Sequence, residues 1–310
     1  MTCCANITSC LACCNQLASC KTCRLAGDAI RASACGDVAG LRTAKIFSTH
    51  ELAQPAVIIA PHADDEVLAC GGTIIQKLRA GAEITVIFIT DSSRSHVRWI
   101  KPTSMSWTRK QEAIAAADVL GLDKDRLVFL DFPETHLASY RKMVINRLAV
   151  ILCKSISPAL KAGAGELQVF IPYRYDLNIE HKLVNELAWI AIQKMPVPAA
   201  VFEYPVWFFN QWPWAAGKVR TPAQLFGRVG QFIHSRRQLR RDFTMAVAIK
   251  YVIQQKAGAL LAYHSQVSRP IGQQKYPVLG DVADGRFLRS FFREHEIYHQ
   301  ANLQDQVGEK

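Results

Sequence analysis

The chain has 310 residues, of which 50% are hydrophobic and 20% charged, with 17 Gly and 13 Pro. That balance excludes a disordered chain, a collagen-like chain and a coiled coil. The length suits one large α/β domain or such a domain with an extension. The net charge is +11, and no run of eighteen apolar residues marks a membrane-spanning helix.

The first stretch stands apart. Eight of the ten cysteines are Cys3, Cys4, Cys10, Cys13, Cys14, Cys20, Cys23 and Cys35. Two C-x-x-C pairs occur, but they are only six residues apart, and no apolar core surrounds them to support a zinc knot. A secretory leader needs a basic start, and residues 1–20 carry no charge. Residues 1–50 are therefore expected to be a poorly ordered extension, 51–300 the working domain and 301–310 a polar tail. Cys70 and Cys153 lie in apolar patterns and read as reduced core thiols. Nothing demands an oxidising compartment, so the expectation is a cytoplasmic protein, peripheral to a membrane if associated with one.

From residue 56 onward, strands and helices alternate. Ala56–Pro61 is a short apolar run, as in a strand covered on both faces. Helical periodicity follows over Val67–Ala80, and Glu83–Thr90 is a strand rich in β-branched residues. Asp91–Ser106 reads as a polar loop, and Thr108–Leu120 as a helix capped by Gly121. Leu127–Phe132 reads as a strand, Ala138 to Lys161 as helix, Leu167–Pro172 as a strand, Glu180–Lys194 as helix and Ala200–Tyr204 as a strand. Residues 205–242 are aromatic and then basic, as in an insertion or cap. Met245–Ile249 reads as a further strand and Tyr251–Tyr263 as a late helix. The order predicts an α/β fold: a mostly parallel, doubly wound (Rossmann-like) sheet with helices on both faces and a C-terminal aromatic and basic insertion. Sites in such sheets lie beyond the carboxyl ends of the strands.

Chemistry concentrates at one of those ends. His62, Asp64, Asp65 and Glu66 put four titratable groups into five positions between a buried strand and a helix. Carboxylates beside a core cost several kcal/mol unless paired or metal-bound. At a strand-to-helix turn, His62 and Asp65, three apart, can aim at one point, and imidazole plus carboxylate is a normal zinc pair. Asp64 then faces the open position of the ion and can take a proton from water. Gly71 and Gly72 allow close backbone approach. An acidic helix start would explain the three carboxylates through the helix dipole, but not His62.

The run PHADDEVLACGGTI resembles the zinc-binding signature of the PIG-L/LmbE-like de-N-acetylases, with Pro61 and Ala63 exchanged relative to the usual order. The resemblance implies that His62 and Asp65 bind zinc and that Asp64 is the general base. A second cluster follows the fourth strand at Asp176, Asn178, Glu180 and His181. His181 opens a helix just past a strand end and completes a three-ligand set with room for water, as in catalytic zinc sites; the family places its third ligand in a similar segment. Many members carry a histidine where this chain has Asn178, which leaves the group that protonates the leaving amine open among Asp176, His96, His136 and His264. Arg109 resembles the arginine that holds the substrate sugar, and Glu134 stands where members hold sugar hydroxyls with an aspartate. An ion-paired helix surface would equally explain Arg109 with Glu112.

The expected activity is a metal-dependent hydrolase that removes the N-acetyl group from an N-acetylglucosamine-type conjugate, with one Zn²⁺. The metal ligands are His62, Asp65 and His181 and the base is Asp64. Arg109, Glu134, Asp176, Asn178 and His264 are expected to bind substrate. The alternative is a zinc amidase or deacylase acting on another amide, such as a thiol conjugate or acylated glycoside. Two histidines and a carboxylate also form the iron facial triad, but oxygenases of that type use a β-barrel rather than this alternation. Residues 216–256 hold nine Lys and Arg against one acid, Asp242. A solvated helix face or a contact to anionic lipid or phosphate both fit that charge. The expected partner is an amino-sugar compound, glycolipid or glycan; no nucleic-acid motif accompanies the charge.

Overall fold

A computed structural model describes residues 44–161, 163, 165–211 and 233–302. The cysteine-rich start, the 212–232 part of the basic segment and most of the polar tail lie outside the described residues.

Eight strands form one sheet: β1 (Lys45–Ile46), β2 (Ala56–Ala60), β3 (Ile84–Thr90), β4 (Leu127–Phe132), β5 (Leu167–Pro172), β6 (Ala199–Tyr204), β7 (Met245–Ala248) and β8 (His295–Ala301). Their order across the sheet is β1-β7-β8-β6-β5-β2-β3-β4. Every pairing is parallel except those of β8, which runs against both β6 and β7. All five residues of β2 and all six of β5 are buried, as expected for central strands covered on both sides. Val57 and Ile59 point into one apolar layer, and Ile58 and Ala60 into the other. The strand alternation thus feeds two cores.

The helices are α1 (Thr49–Ala53), α2 (Asp65–Arg79), α3 (Pro102–Leu120), α4 (Arg141–Lys154), α5 (Pro158–Lys161), α6 (Ile179–Ile192), α7 (Ile253–Leu261), α8 (His264–Val267) and α9 (Arg286–Arg289), with a further helical stretch over 233–242. α2, α3 and α7 cover one face, and α4 and α6 the other. α2 carries Asp65 and Glu66 in its first turn and Lys77 and Arg79 in its last, matching the helix dipole at both ends. Gly72 lies where α2 crosses Ile249: a Cβ there would fall 2.4 Å from Ile249 Cγ2, so only glycine fits.

Three expectations need correction. The polar stretch 91–106 is not all loop, because Pro102 starts α3 at its first turn, a position where the missing N–H costs nothing. The stretch 138–161 is not one helix: a 3-10 turn over Leu137–Tyr140 leads into α4, and a break after Lys154 precedes α5. Cys153 is exposed rather than a core thiol, while Cys70 is buried. Gly121 caps α3 as expected, with φ of 83°.

The chain runs β2, β3, β4 outward in one direction, then returns to place β5 on the other side of β2. The crevice above β2 and β5 is the switch point of the sheet, where ligands bind in doubly wound folds.

Candidate active site

β2 ends at Ala60, and the next turn carries His62, Ala63 and Asp64 before α2 begins. Asp64 has φ of 125°, a conformation uncommon for any residue but glycine and one that persists only where the surroundings enforce it. Three contacts do so. Glu66 Oε2 accepts from Asp64 N at 3.0 Å, Asp64 O accepts from Leu68 N at 2.9 Å, and Ser92 Oγ accepts from Ala63 N at 2.9 Å. Glu66 Oε1 in turn accepts from the Tyr263 hydroxyl. Strain of this kind clusters at functional positions.

The turn brings His62 Nδ1 to 3.4 Å from Asp65 Oδ2, and the first turn of α6 brings His181 Nε2 to 3.3 Å from the same oxygen. One donor atom from each of His62, Asp65 and His181 lies within 4.8 Å of the others. His181 sits there because Asn178 caps α6, its Oδ1 accepting from Glu180 N at 2.8 Å. Behind His181, Asp176 Oδ2 lies 3.2 Å from Nδ1 and also accepts from Val206 N and Trp207 N at 3.1 Å each. That carboxylate holds the ring by Nδ1 and turns Nε2 toward Asp65, so that Nε2 is the atom that would ligate a cation once it has lost its proton. Nε2 is buried and has no hydrogen-bond partner. A buried, unpartnered imidazole nitrogen among a carboxylate and a second imidazole is what a divalent ion would satisfy, so the residues present fit a zinc-type cation.

The electrostatics agree. Burial opposes ionisation of Asp65, yet His181 and His62 hold its carboxyl well below the usual range. Burial pulls His181 down, but Asp65 and Asp176 outweigh it and push the imidazole up to about 9. His62, flanked by Asp65 and Glu180, is likewise raised. The cluster demands positive charge. Asp64 behaves in the opposite sense to Asp65: burial raises it to about 6 despite the Arg109 guanidinium, a value suited to a base working near neutrality. Burial also pushes the Glu66 carboxyl up to about 8.

Arg109 reaches in from α3. Its Nη2 lies 3.1 Å from Asp64 Oδ1 and donates to Ala63 O, while Nε and Nη1 are buried without partners. The Arg109 side chain is thus not the surface ion pair with Glu112 that its helix spacing also allowed. Glu112 instead accepts from Ser265 N and Oγ.

A cavity of about 300 Å³ opens in front of this cluster; His62, Asp64, Asp65, Arg109, Glu134 and Asn178 all line it. Val206, Trp207, Leu279 and Val282 add apolar surface to its lining. Two expected substrate residues are elsewhere. Asp176 is fully buried behind His181, so it positions an imidazole rather than meeting substrate. His264 is exposed at the start of α8 and does not line the cavity, whereas Gln266, two residues on, does. Of the acid candidates, His136 is exposed. His96 lines the cavity, but its ring stacks on Tyr276 with centroids 4.3 Å apart, and both its nitrogens face partners, Ser95 Oγ and Pro277 O. Burial lowers its pKa.

One residue at the site went unassigned in the sequence. Glu180 Oε2 lies 3.0 Å from His62 Nε2, and its Oε1 accepts from Thr135 N at 2.7 Å. It does for His62 what Asp176 does for His181. Glu134 stands nearby, with Oε1 3.8 Å from His62 Nε2 and Oε2 accepting from Arg94 N.

Residues 57–192 match the family model PIG-L, described as GlcNAc-PI de-N-acetylase. The chain carries a PIG-L family domain. The match spans β2 to α6 and so contains the whole His62, Asp65 and His181 cluster. Among solved structures, the N,N'-diacetylchitobiose deacetylase from Pyrococcus horikoshii, complexed with its inhibitor MPG, is 17% identical, with 79% of this chain and 82% of that chain covered at a TM-score of 0.52. The likeness establishes a shared α/β fold. A conserved protein from Thermus thermophilus, TT1542, aligns at 21% identity over 80% of this chain and 94% of its own, with a TM-score of 0.49. The 4-carboxy-2-hydroxymuconate hydratase GalB from Pseudomonas putida KT2440 aligns at 16% identity over 77% and 82%, also at 0.49. No curated protein sequence matches the chain.

Proposed function

We propose that the protein is a divalent-cation-dependent de-N-acetylase whose substrate carries an N-acetylglucosamine-type group. The observation that carries this reading is the unpartnered Nε2 of His181, oriented by Asp176 toward Asp65 and His62, beside an enforced Asp64 at the cavity wall. His62, Asp65 and His181 would hold the cation, with Zn²⁺ the expected ion. When bound, such an ion supplies Lewis acidity, lowering the pKa of water and polarising a carbonyl.

The chain's own residues supply the remainder. Asp64, ionised near neutrality, accepts a proton from the water that adds to the acetamide carbon. As the C–N bond breaks, the same carboxyl returns that proton to the departing nitrogen, leaving acetate and a free amine. Asn178 carries no titratable proton, and its Oδ1 is committed to the α6 cap, so this reading assigns both transfers to Asp64. Arg109 fixes the Asp64 carboxylate and offers its unpaired N–H groups to sugar oxygens. The apolar surface of Val206, Trp207, Leu279 and Val282 suits the C–H face of a sugar ring.

The test is acetate release by metal-supplemented protein across a panel of N-acetylglucosaminides, N-acyl glycosides and thiol-conjugate amides. Turnover of the acetylglucosaminides, abolished by a chelator and by Asp64→Asn, is expected. Turnover confined to another amide class would overturn the substrate assignment, and turnover insensitive to chelator would overturn the cation.

A further inference from the structure

β2 delivers the site, and its two neighbours in the sheet are β3 and β5. The segments that leave the carboxyl ends of those neighbours therefore flank the cavity mouth on either side. Both expose large apolar side chains. After β5, Leu177 is 52% and Ile179 81% exposed; after β3, Val97 is 50% exposed, with Trp99 beside it also at the surface. Trp107, in the second turn of the helix that follows, is 67% exposed. Ile271 is fully exposed in the segment whose Pro277 and Tyr276 contact His96. Two chain segments that line the cavity, through Ser95 and His96 and through Asn178, thus carry exposed apolar tips.

Charge accompanies the tips. Arg94, Arg98 and Lys101 are exposed among Val97 and Trp99, and no acidic residue occurs between Asp91 and Glu112. Lys275 is exposed near Ile271. Of the acids near these segments, Asp91 is half-buried and accepts from Ser93 N and Glu134 N, Asp131 pairs with Lys110, Asp281 pairs with Arg269, and Asp284 is exposed. Glu134 lines the cavity, and both it and Glu180 are turned toward His62.

We infer that this rim docks on an anionic bilayer surface, with Val97, Trp99, Leu177 and Ile179 entering the headgroup region and Arg94, Arg98 and Lys101 contacting lipid phosphates. Dispersed apolar tips interleaved with cations fit a deformable lipid interface, where Trp and basic side chains are favoured together. A protein partner would need a continuous complementary patch. No helix among the described residues is long and apolar enough to cross a membrane. The cavity mouth then faces the membrane. Docking does not rest on the proposed deacetylation, and its test reads no activity.

The full chain is co-sedimented with phosphatidylcholine vesicles and with phosphatidylcholine–phosphatidylglycerol vesicles at low and high salt. Binding to the anionic vesicles, weakened by salt, is expected. Arg98→Glu with Lys101→Glu should lower the partition roughly tenfold or more, since each surface cation adds a comparable increment. Val97→Ser with Ile179→Ser should lower it severalfold, while Val150→Ser, exposed on α4 away from the rim, should leave it unchanged. All these sites are exposed, and a thermal melt checks that each variant folds. Failure of the wild type to bind anionic vesicles overturns the inference, as does equal binding to neutral vesicles or binding indifferent to the rim substitutions. Self-association removed by the same substitutions, without vesicle binding, would assign the rim to a second copy instead.

Discussion

Asp64 is buried, and its carboxyl titrates near 6 rather than at the ordinary 3.8, burial being the main cause. A raised folded-state pKa means that the folded protein binds this proton more tightly than the unfolded chain does. Stability therefore falls as pH rises from about 4 to 6, and the deficit is complete above that window. The shift of about two units corresponds to about 3 kcal/mol. Asp64→Asn replaces the carboxylate by a neutral group of the same shape that also tolerates the positive φ at this position. Urea denaturation of chelator-stripped protein near pH 7.5 should show the variant more stable by about 3 kcal/mol, with the midpoint shifted and the slope unchanged. Near pH 4 the two proteins should converge. Acetate release should fall by about 10²–10⁴-fold in the metal-loaded variant. Asp64→Ala separates backbone from charge: it removes the same carboxylate but sets a Cβ-bearing residue with no polar group at φ of 125°, so its gain should be smaller. An Asn variant no more stable than wild type near pH 7.5, or one whose advantage persists near pH 4, would refute the account of a carboxylate held ionised against its burial.

Arg109 Nη2 lies 3.1 Å from Asp64 Oδ1, and loss of such a guanidinium raises a carboxyl by about 1–3 units. The acid limb of the kcat/KM profile should therefore move to higher pH in Arg109→Met and stay near its original position in Arg109→Lys; an unmoved limb in Arg109→Met would show that the pair does not tune the base. Asp176→Ala leaves His181 Nδ1, Val206 N and Trp207 N without their acceptor, so zinc affinity measured against a competing chelator should drop about 10–100-fold. Because His181 titrates near 9 and must shed its proton to bind a cation, affinity in the wild type should weaken about tenfold per pH unit as pH falls below that value, whereas a flat profile would show that this imidazole is already neutral. Lys256 Nζ is buried and donates to Leu68 O, Phe291 O and Glu296 Oε1 at 2.7 Å each. Lys256→Met strands a buried carboxylate and should cost about 3–5 kcal/mol in denaturant unfolding; a loss under about 1 kcal/mol would show that Glu296 is satisfied by the α2 amides alone.

What the sequence could reveal was set by the range of the interaction. β2 and β5 are short apolar runs bounded by turns, and both are buried along their whole length, whereas β4, at the edge of the sheet with Asp131 exposed, is legible from its apolar run alone. β8 could not be read this way, because His295–Ala301 buries Glu296 beside Ile297 and Tyr298. Its acid is accommodated only because Gly72 N, Thr73 N, Thr73 Oγ1 and Lys256 Nζ converge on it, from residues 40 to 224 positions away. β1, two residues long, is too short for any periodicity to register. At Pro102 the signal was present and local, but the surrounding Ser and Arg residues gave it the composition of a loop.

The site divides along the same line. His62 and Asp65 share a turn, so their convergence follows from spacing, and His181 follows from its place at the start of a helix past a strand end. Their supports do not. Glu180 meets His62 across 118 positions; nothing near residue 180 foretells that one carboxylate oxygen will be fixed by Thr135 and the other delivered to an imidazole. Asp176 was expected beside substrate because it precedes a candidate ligand in a polar run, yet the turn after β5 folds it inward until the amides of Val206 and Trp207 take its charge. The same logic removes His264: in a helix as short as α8, two residues separate a side chain that leaves the surface from one, Gln266, that enters the cavity. Ligands that meet a cation are readable from local geometry, whereas the carboxylates that aim those ligands are chosen by the sheet. The variants that separate these roles are therefore Asp176→Ala and Glu180→Gln, which should weaken the cation while leaving all three of its ligands in place.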